Sequence, residues 1–299
     1  MKKGTIIGID VGGTSVKAGL VSDNQVVAFS KKAIRAQGKY LIEDIVDVTK
    51  KLKTPLVKKI GVALPGNIDP HKGVLHYCHN LPRARRHLAV AKILQQRLGL
   101  PTFIEHDPNC FVLAETIIGQ GKVYPIVAGI TLGTGIGFAL TINKKIYPGS
   151  QNLVEAGHII VQKDGEKCKC GGFGHFESYV SGNAMIYLYK KRTGQKKDTY
   201  EIVAAAKKGE RAASLLLKTM SDYLAIGLAN IIYAYDPHII VIGGGLSTVA
   251  PIINPARQKV KKLLLYPEQL KTKIVKSKTP YHSNILGAAL ITNRKKYAS

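Results

Sequence analysis

A repeated pattern constrains this chain more than any single motif. Near the start, GTIIGID and SVKAGLV read as strands separated by Val11-Gly12-Gly13-Thr14, and the turn Ser22-Asp23-Asn24 leads into QVVAFS as a third strand. Roughly 120 residues later the pattern returns: PIVAGITL, the turn Gly133-Thr134-Gly135, IGFALTI, the turn Asn143-Lys144-Lys145 and a short KIYP. A chain with two such openings is expected to fold as two halves, each beginning with a strand, a glycine turn and a strand.

Between the hairpins, the segments alternate as an α/β fold requires. Residues 40–53 have helical periodicity, KKIGVALPG reads as a buried strand ending in a turn, and 87–98 reads as a helix stopped by Gly99 and Pro101. TFIEH (102–106) is then a strand, and Asp107-Pro108 opens the helix NCFVLAETIIG. In the second half a long apolar helix over 211–235 closes at Asp236-Pro237 and leads into the strand HIIVIGGG. No Pro- or Ser-rich linker separates the halves, so a boundary near 119–125 is expected to be a hinge.

Charge sets the next question. The chain has 299 residues, with 44 Lys and Arg against 19 Asp and Glu, a formal net charge of +25. Such a field attracts nucleic acid, an acidic membrane surface, polyphosphate or phosphorylated small molecules. The lysines are scattered, and no recognition helix or aromatic RNA-binding pattern accompanies them, which favours a solvated Lys-rich surface and makes nucleic acid an unexpected partner. No apolar run reaches the ~20 residues of a membrane span. With only four cysteines, Cys78, Cys110, Cys168 and Cys170, and no export signal, the expected setting is a reducing cytoplasm, with no membrane partner.

Glycine turns point to phosphate chemistry, because their exposed backbone N–H groups can cradle anionic oxygens and glycine lets the backbone approach. Neither a GxxxxGK[ST] loop nor a GxGxxG fingerprint in a strand-to-helix setting is present. The candidate phosphate-binding residues are Asp10, Gly12, Gly13, Thr14 and Lys17 in the first turn. Gly133, Thr134, Gly135 and Gly137 form the second set, and Gly243, Gly244 and Gly245 the third.

DVGGTSVKAGLV, LGTGIG, EAGH, CKCGGFGHFE and VIGGG, in that order, resemble the ROK family (repressors, open reading frames and sugar kinases) of the actin-like ATPase superfamily. The resemblance spans the chain from Ile6 to the LGAAL at 286–290. It implies two actin-like, ribonuclease H-like α/β domains flanking a cleft. The smaller would comprise residues 1–118 with a C-terminal helix at 286–299, and the larger 119–285 with a zinc-binding loop. The family's repressors carry a helix-turn-helix ahead of the first phosphate motif, which here begins at residue 10, so a kinase is expected instead.

Family resemblance also assigns roles. His158, Cys168, Cys170 and His175 can complete a tetrahedral zinc site, with Gly171, Gly172 and Gly174 letting the loop turn tightly. The family motif has a third Cys where His175 stands, and His remains a good zinc ligand. The alternative is a metal-free glycine loop. Glu155, His158 and Glu177 are implied sugar contacts, as are Gly66 and Asn80. Asp107 is the implied general base, against the plainer alternative of a helix-capping Asp. Asp10 is the implied carboxylate for the magnesium hydration shell. His106, another expected sugar contact, replaces the family's usual Asn, and PRARRH follows Asn80-Leu81 where the family often has Gly-Trp.

The expected function is that of an ATP- and Mg2+-dependent hexose kinase with a structural Zn2+. It would transfer the γ-phosphate to the 6-hydroxyl of glucose or a related hexose. N-acetylglucosamine, N-acetylmannosamine and fructose are alternative acceptors, polyphosphate is an alternative donor, and a non-catalytic sugar sensor is a third reading. Family members are commonly dimers or tetramers, so a homodimer or homotetramer is expected.

Overall fold

The computed structural model describes residues 5–150, 154–269, 271–279 and 282–297. Gly4 of the expected first strand lies outside them, as do Ala298 and Ser299 of the expected C-terminal helix. The chain forms two compact units. One comprises residues 1–123, 140–147 and 281–299, and the other 124–139 and 148–280.

The first unit opens with the meander β1 (Thr5–Val11), β2 (Ser15–Ser22) and β3 (Gln25–Ala33). Asp23 and Asn24 adopt positive φ at the β2–β3 turn, a conformation short polar side chains tolerate. Helix α1 (Leu41–Lys50) buries Leu41, Ile42, Ile45, Val46 and Val48, the one-sided spacing that makes it a core helix. Strand β4 (Val57–Leu64) is followed by a small hairpin, β5 (Asn67–Asp69) with β6 (Val74–Tyr77). Helix α2 (Val90–Leu98) starts later than the expected residue 87, because Leu88 is held in a backbone bridge to Leu75. It ends at Gly99 in the left-handed region. Strand β7 (Thr102–His106) runs directly into α3 (Asp107–Ile117). The sheet order is β3-β2-β1-β4-β7, with the meander antiparallel and β1, β4 and β7 parallel.

The second unit opens with β8 (Ile126–Leu132) and the first part of β9 (Ile136–Ile142), the expected second hairpin; the end of β9 and the expected KIYP strand, which is only β10 (Lys145–Ile146), fall in the stretch 140–147 that belongs to the first unit. The short helix α4 (Glu177–Val180) and α5 (Gly182–Thr193) precede α6 (Thr199–Lys207), which Asp198 and Glu201 begin with a reciprocal capping box. Helix α7 (Arg211–Tyr235) is 25 residues long and apolar enough to cross a membrane, contrary to the sequence expectation; much of it is buried within this unit, packed on α4, α5, α6 and α8 (Ala250–Leu263). Between α7 and α8 lies β11 (Ile239–Gly243), and β12 (Lys273–Lys276) follows. The sheet order is β10-β9-β8-β11-β12, with β8, β11 and β12 parallel.

The chain returns to the first unit as α9 (Ser283–Leu290) and α10 (Arg294–Tyr297). The single C-terminal helix expected over 286–299 is thus two helices. The hydroxyl of Thr292 donates to the Ala289 carbonyl, and the Asn293 amide turns back to Leu290, closing the first helix with tight three-residue turns. Helix α9 lies against β1 and β4 at two glycines. A Cβ on Gly8 would stand 2.0 Å from the Ile285 carbonyl oxygen, and one on Gly61 1.6 Å from that of Ala288.

Candidate active site

In the first unit, β1 and β2 pair so that Asp10 faces Lys17 across the hairpin. The Lys17 ammonium lies 3.1 Å from Asp10 Oδ2, and Asn284 of α9 donates to Oδ1 at 3.0 Å. The intervening turn is closed by the Gly12 amide donating to Ser15 O at 2.9 Å. Asn80 packs beside it, since a Cβ on Gly13 would lie 3.5 Å from Asn80 Cβ. The Gly12–Thr14 turn and Asn80, singled out separately in the sequence, therefore meet. Gly66 has φ +96°, and a Cβ there would stand 2.4 Å from the Tyr77 carbonyl, so this glycine is needed for the backbone crossing of β6.

Asp107 sits where β7 becomes α3. The helix-capping position belongs to His106, whose backbone is extended; Asp107 is the first helical residue and Pro108 follows it. Asp107 thus lies in the first turn, with its carboxylate carried at the end of a strand on an 11-residue helix. His106 Nε2 lies 3.6 Å from Asp107 Oδ1. Burial pushes the His106 imidazole down to about 4, so near pH 7 it is neutral and can both donate and accept, as the family's Asn does.

Behind this pair is Glu105, only 7% exposed, a residue the sequence reading passed over. Its Oε1 accepts the His106 amide at 2.9 Å and Asn109 Nδ2 at 3.0 Å, bracketing Asp107 from both sides in sequence. Burial raises the Glu105 pKa above the usual carboxylate range, against those hydrogen bonds and the Arg294 guanidinium. Arg294 itself donates to the Ile104 carbonyl at 3.0 Å. Alternation inside a buried strand gave no signal for Glu105, and Arg294 is distant in sequence. Beneath them Cys78 and Cys110 are buried thiols; burial lifts Cys78 to about 11 and raises Cys110 well above the ordinary range, leaving both unreactive.

The second unit brings together the other two glycine clusters. Gly244, at φ +80°, passes so close to Leu132 that a Cβ would stand 2.4 Å from its carbonyl oxygen, placing Gly243–Gly245 beside the Gly133–Gly135 turn. Gly137 lies within β9 just beyond it. The amides of Gly182 and Asn183, in the first turn of α5, donate to Gly133 O at 2.8 Å and Thr134 O at 3.3 Å, while Ser181 caps the helix. The first amides of α5 are thereby taken by the turn and by Ser181, but a Cβ on Gly133 or Gly245 would meet nothing within 4 Å, so the two glycine turns have open space beside their backbone. This arrangement suits an anionic phosphate.

His158, Cys168, Cys170 and His175 converge in the same unit, with one donor atom from each within 4.8 Å of all the others. His158 Nδ1 and His175 Nδ1 are 3.3 Å apart, Cys170 Sγ and His175 Nδ1 3.2 Å, and Cys168 Sγ and His158 Nδ1 3.9 Å. A tetrahedral ion bonded at about 2.0–2.3 Å requires donor separations of roughly 3.3–3.8 Å; the His–His and Cys170–His175 pairs lie close to that range and the cluster as a whole is wider, so the donor set suits zinc once drawn together slightly. The loop is built for this. Gly171 and Gly174 take positive φ, the Cys168 amide bonds Gly172 O at 2.8 Å, and Phe176 N bonds Ile159 O at 2.9 Å. Phe176 is fully buried on Gly227 of α7, where a Cβ would stand 2.4 Å from its ring.

Glu177 extends from this loop to the glycine turn, accepting the Ile136 amide at 2.8 Å. Glu155 is its neighbour: burial, then the Glu177 charge, raises Glu155 to about 7. A hollow of about 620 Å³ opens beside the loop, lined by Lys167, Glu177, Ser181, Asn183 and Tyr187 among others. The expected metal ligands and acids of the second unit thus cluster within one region. Ser181 and Asn183 belong there too, although neither lies in a motif that the sequence singles out.

Known proteins resemble this chain over nearly its whole length. The chain is similar to the glucokinase of Thermotoga maritima, 30% identical over 319 aligned positions that cover 99% of each chain. It is similar to the N-acetyl-D-glucosamine kinase of Vibrio cholerae at 32% identity, covering 95% of this chain and 98% of that one. Among solved structures, a ROK family glucokinase from Streptomyces griseus in complex with glucose and AMPPNP matches with a TM-score of 0.87 at 26% identity, over 96% of this chain and 99% of that chain. The α/β architecture is accordingly that of the actin-like ATPases. Residues 6–295 match the ROK family, and this chain belongs to it.

Proposed function

We propose that the chain is an ATP-dependent hexose kinase acting on the 6-hydroxyl of glucose or N-acetylglucosamine. The observation that carries this reading is Asp107, a carboxylate fixed at the β7–α3 junction and bracketed by Glu105, in a chain whose full-length relatives include a glucokinase and an N-acetyl-D-glucosamine kinase. The sugar hydroxyl oxygen attacks the γ-phosphorus, the bond from that phosphorus to the ADP oxygen breaks, and the hydroxyl proton passes to Asp107. His106, Asn80, Glu155, His158 and Glu177 are the residues we assign to the sugar hydroxyls, with Gly66 shaping the backbone at Tyr77 and Cys78.

The Gly12–Thr14 turn with Lys17, the Gly133–Gly137 segment and Gly243–Gly245 would hold the ATP phosphates. Asp10, both of whose oxygens already have protein partners, fits a role in orienting magnesium-bound water better than direct ligation. When bound, magnesium neutralises phosphate charge, and zinc on His158, Cys168, Cys170 and His175 ties the sugar-binding loop together. The reading is of a cytoplasmic homodimer or homotetramer.

The test is ADP release from Mg-ATP with glucose, fructose, mannose and the two N-acetylhexosamines, with Asp107→Asn in parallel. Sugar-dependent turnover lost in the variant is expected. Turnover unchanged in Asp107→Asn would remove the base assignment, and no turnover with any sugar from folded, zinc-loaded protein would remove the kinase reading. The +25 charge supports one further arm, polyphosphate in place of ATP.

A further inference from the structure

The second unit carries two adjoining hollows at the end of its sheet away from the glycine turns. The parallel strands β8, β11 and β12 begin there: Tyr124, His238 and Thr272 lie just before the first residues of those strands and line the larger hollow, of about 970 Å³. Gly133 follows the opposite end of β8 and Gly243 ends β11, roughly 13–20 Å away at the rise of a β-strand. Thr272 also lines the second hollow, of about 570 Å³, so the two meet at this residue. Its hydroxyl is fixed by donation to Pro237 O at 2.8 Å.

The hollows differ in chemistry. The larger has three tyrosines, Tyr124, Tyr233 and Tyr266, with the carboxylates of Asp236 and Glu268 and the ammonium of Lys271; Lys273 lies over the Tyr124 ring at 5.3 Å, which leaves Tyr233 and Tyr266 as the uncovered rings of the three. One wall is built around Tyr233, whose hydroxyl donates to Leu263 O at 3.3 Å and accepts the Leu265 amide at 2.6 Å. The smaller hollow has Arg257 and Lys261, one turn apart on α8, with Asn254 and Gln258 on the same face and no acidic side chain in its lining. Among the described residues, neither Arg257 nor Lys261 has an ion-pair partner.

We propose that these joined hollows form a second nucleotide site, separate from the phosphate-binding turns, taking a free mononucleotide whose base carries an amino group. The cations attract its phosphate, and the tyrosines offer faces on which a base stacks. Asp236 and Glu268 would accept hydrogen bonds from an exocyclic amino group, which the Lys271 ammonium beside them cannot do, and this places the base in the larger hollow. Because the hollows lie at the opposite end of the sheet from the glycine turns, a nucleotide here is not the phosphoryl donor. The argument is independent of which sugar the catalytic site accepts.

The test is calorimetric titration of the zinc-loaded full chain with AMP, adenosine, inorganic phosphate and a single-stranded dodecanucleotide. AMP is expected to occupy a site that Arg257→Ala with Lys261→Ala, and separately Tyr266→Ala, weaken roughly tenfold or more, with unchanged melting temperature and unchanged saturating turnover. Photolabelling by 8-azido-AMP should map to residues 263–268. Unchanged AMP binding in both variants, or labelling confined to the glycine turns, would overturn the site. Phosphate binding as tightly as AMP would overturn the role of the tyrosines, and binding of the oligonucleotide without AMP would overturn a free nucleotide as the occupant.

Discussion

Glu177 accepts the backbone amide of Ile136 at 2.8 Å, joining the helix that follows the metal loop to the end of the glycine turn. Two segments 41 positions apart are thereby held by one hydrogen bond from a charged acceptor. Glu177→Ala leaves that amide without its acceptor and should cost about 1–3 kcal/mol. Glu177→Gln keeps an acceptor oxygen and should retain most of the stability while raising KM for sugar. Thermal melts alongside the KM of each variant separate the two effects.

Chelation should expose a specific pair of thiols. Cys168 and Cys170 belong to the four-donor cluster, whereas Cys78 and Cys110 are buried in the first unit with raised pKa values. A thiol reagent counted by mass should add to neither pair in zinc-loaded protein, to Cys168 and Cys170 after chelation, and to all four cysteines only on denaturation. Labelling of Cys78 before the metal-loop thiols would contradict this order.

His106 supplies a pH dependence whose sign follows from its low folded value. Its pKa is about 4 in the folded chain against an unperturbed 6.5. Between those values the unfolded state binds the extra proton, so stability is fully present above pH 6.5, declines as pH falls, and is lost by about pH 4. The contribution is on the order of 3 kcal/mol. Denaturant melts of the wild type and His106→Asn from pH 4 to 7 should show a shallower acid decline in the variant.

Phe176 stands between a metal-cluster histidine and Glu177 and is seated on Gly227. In Gly227→Ala the new methyl occupies space now filled by the ring, an overpacking expected to cost about 1–3 kcal/mol. Because Phe176 carries both neighbours, the variant should also bind zinc more weakly. Zinc content after dialysis against a weak chelator checks this, and an unaltered zinc affinity would show that the loop holds its shape without that seat.

The features most legible in the sequence were those with local signatures. The hairpins declared themselves through alternating strands and polar turn residues, and His158, Cys168, Cys170 and His175 through ligand type and spacing. Glu105 was hidden because its neighbours in a buried strand have no alternation to break. Asn284 and Arg294 were hidden because their partners, Asp10 and Ile104, are far away in the chain. The meeting of the two second-unit glycine clusters depends on parallel pairing of β8 with β11, a long-range contact that no window of sequence contains.

The two glycines beneath α9 also bear on how the protein is made. Gly8 and Gly61 are synthesised early, but the helix whose backbone rests on them begins at Ser283. A ribosome adding about 5–20 residues per second needs roughly 10–30 seconds to travel from the end of the first unit's opening segment to that helix. For that interval the nascent sheet has an uncovered apolar face. Closure of the first unit's sheet therefore waits until α9 has been synthesised, long after the strands it covers.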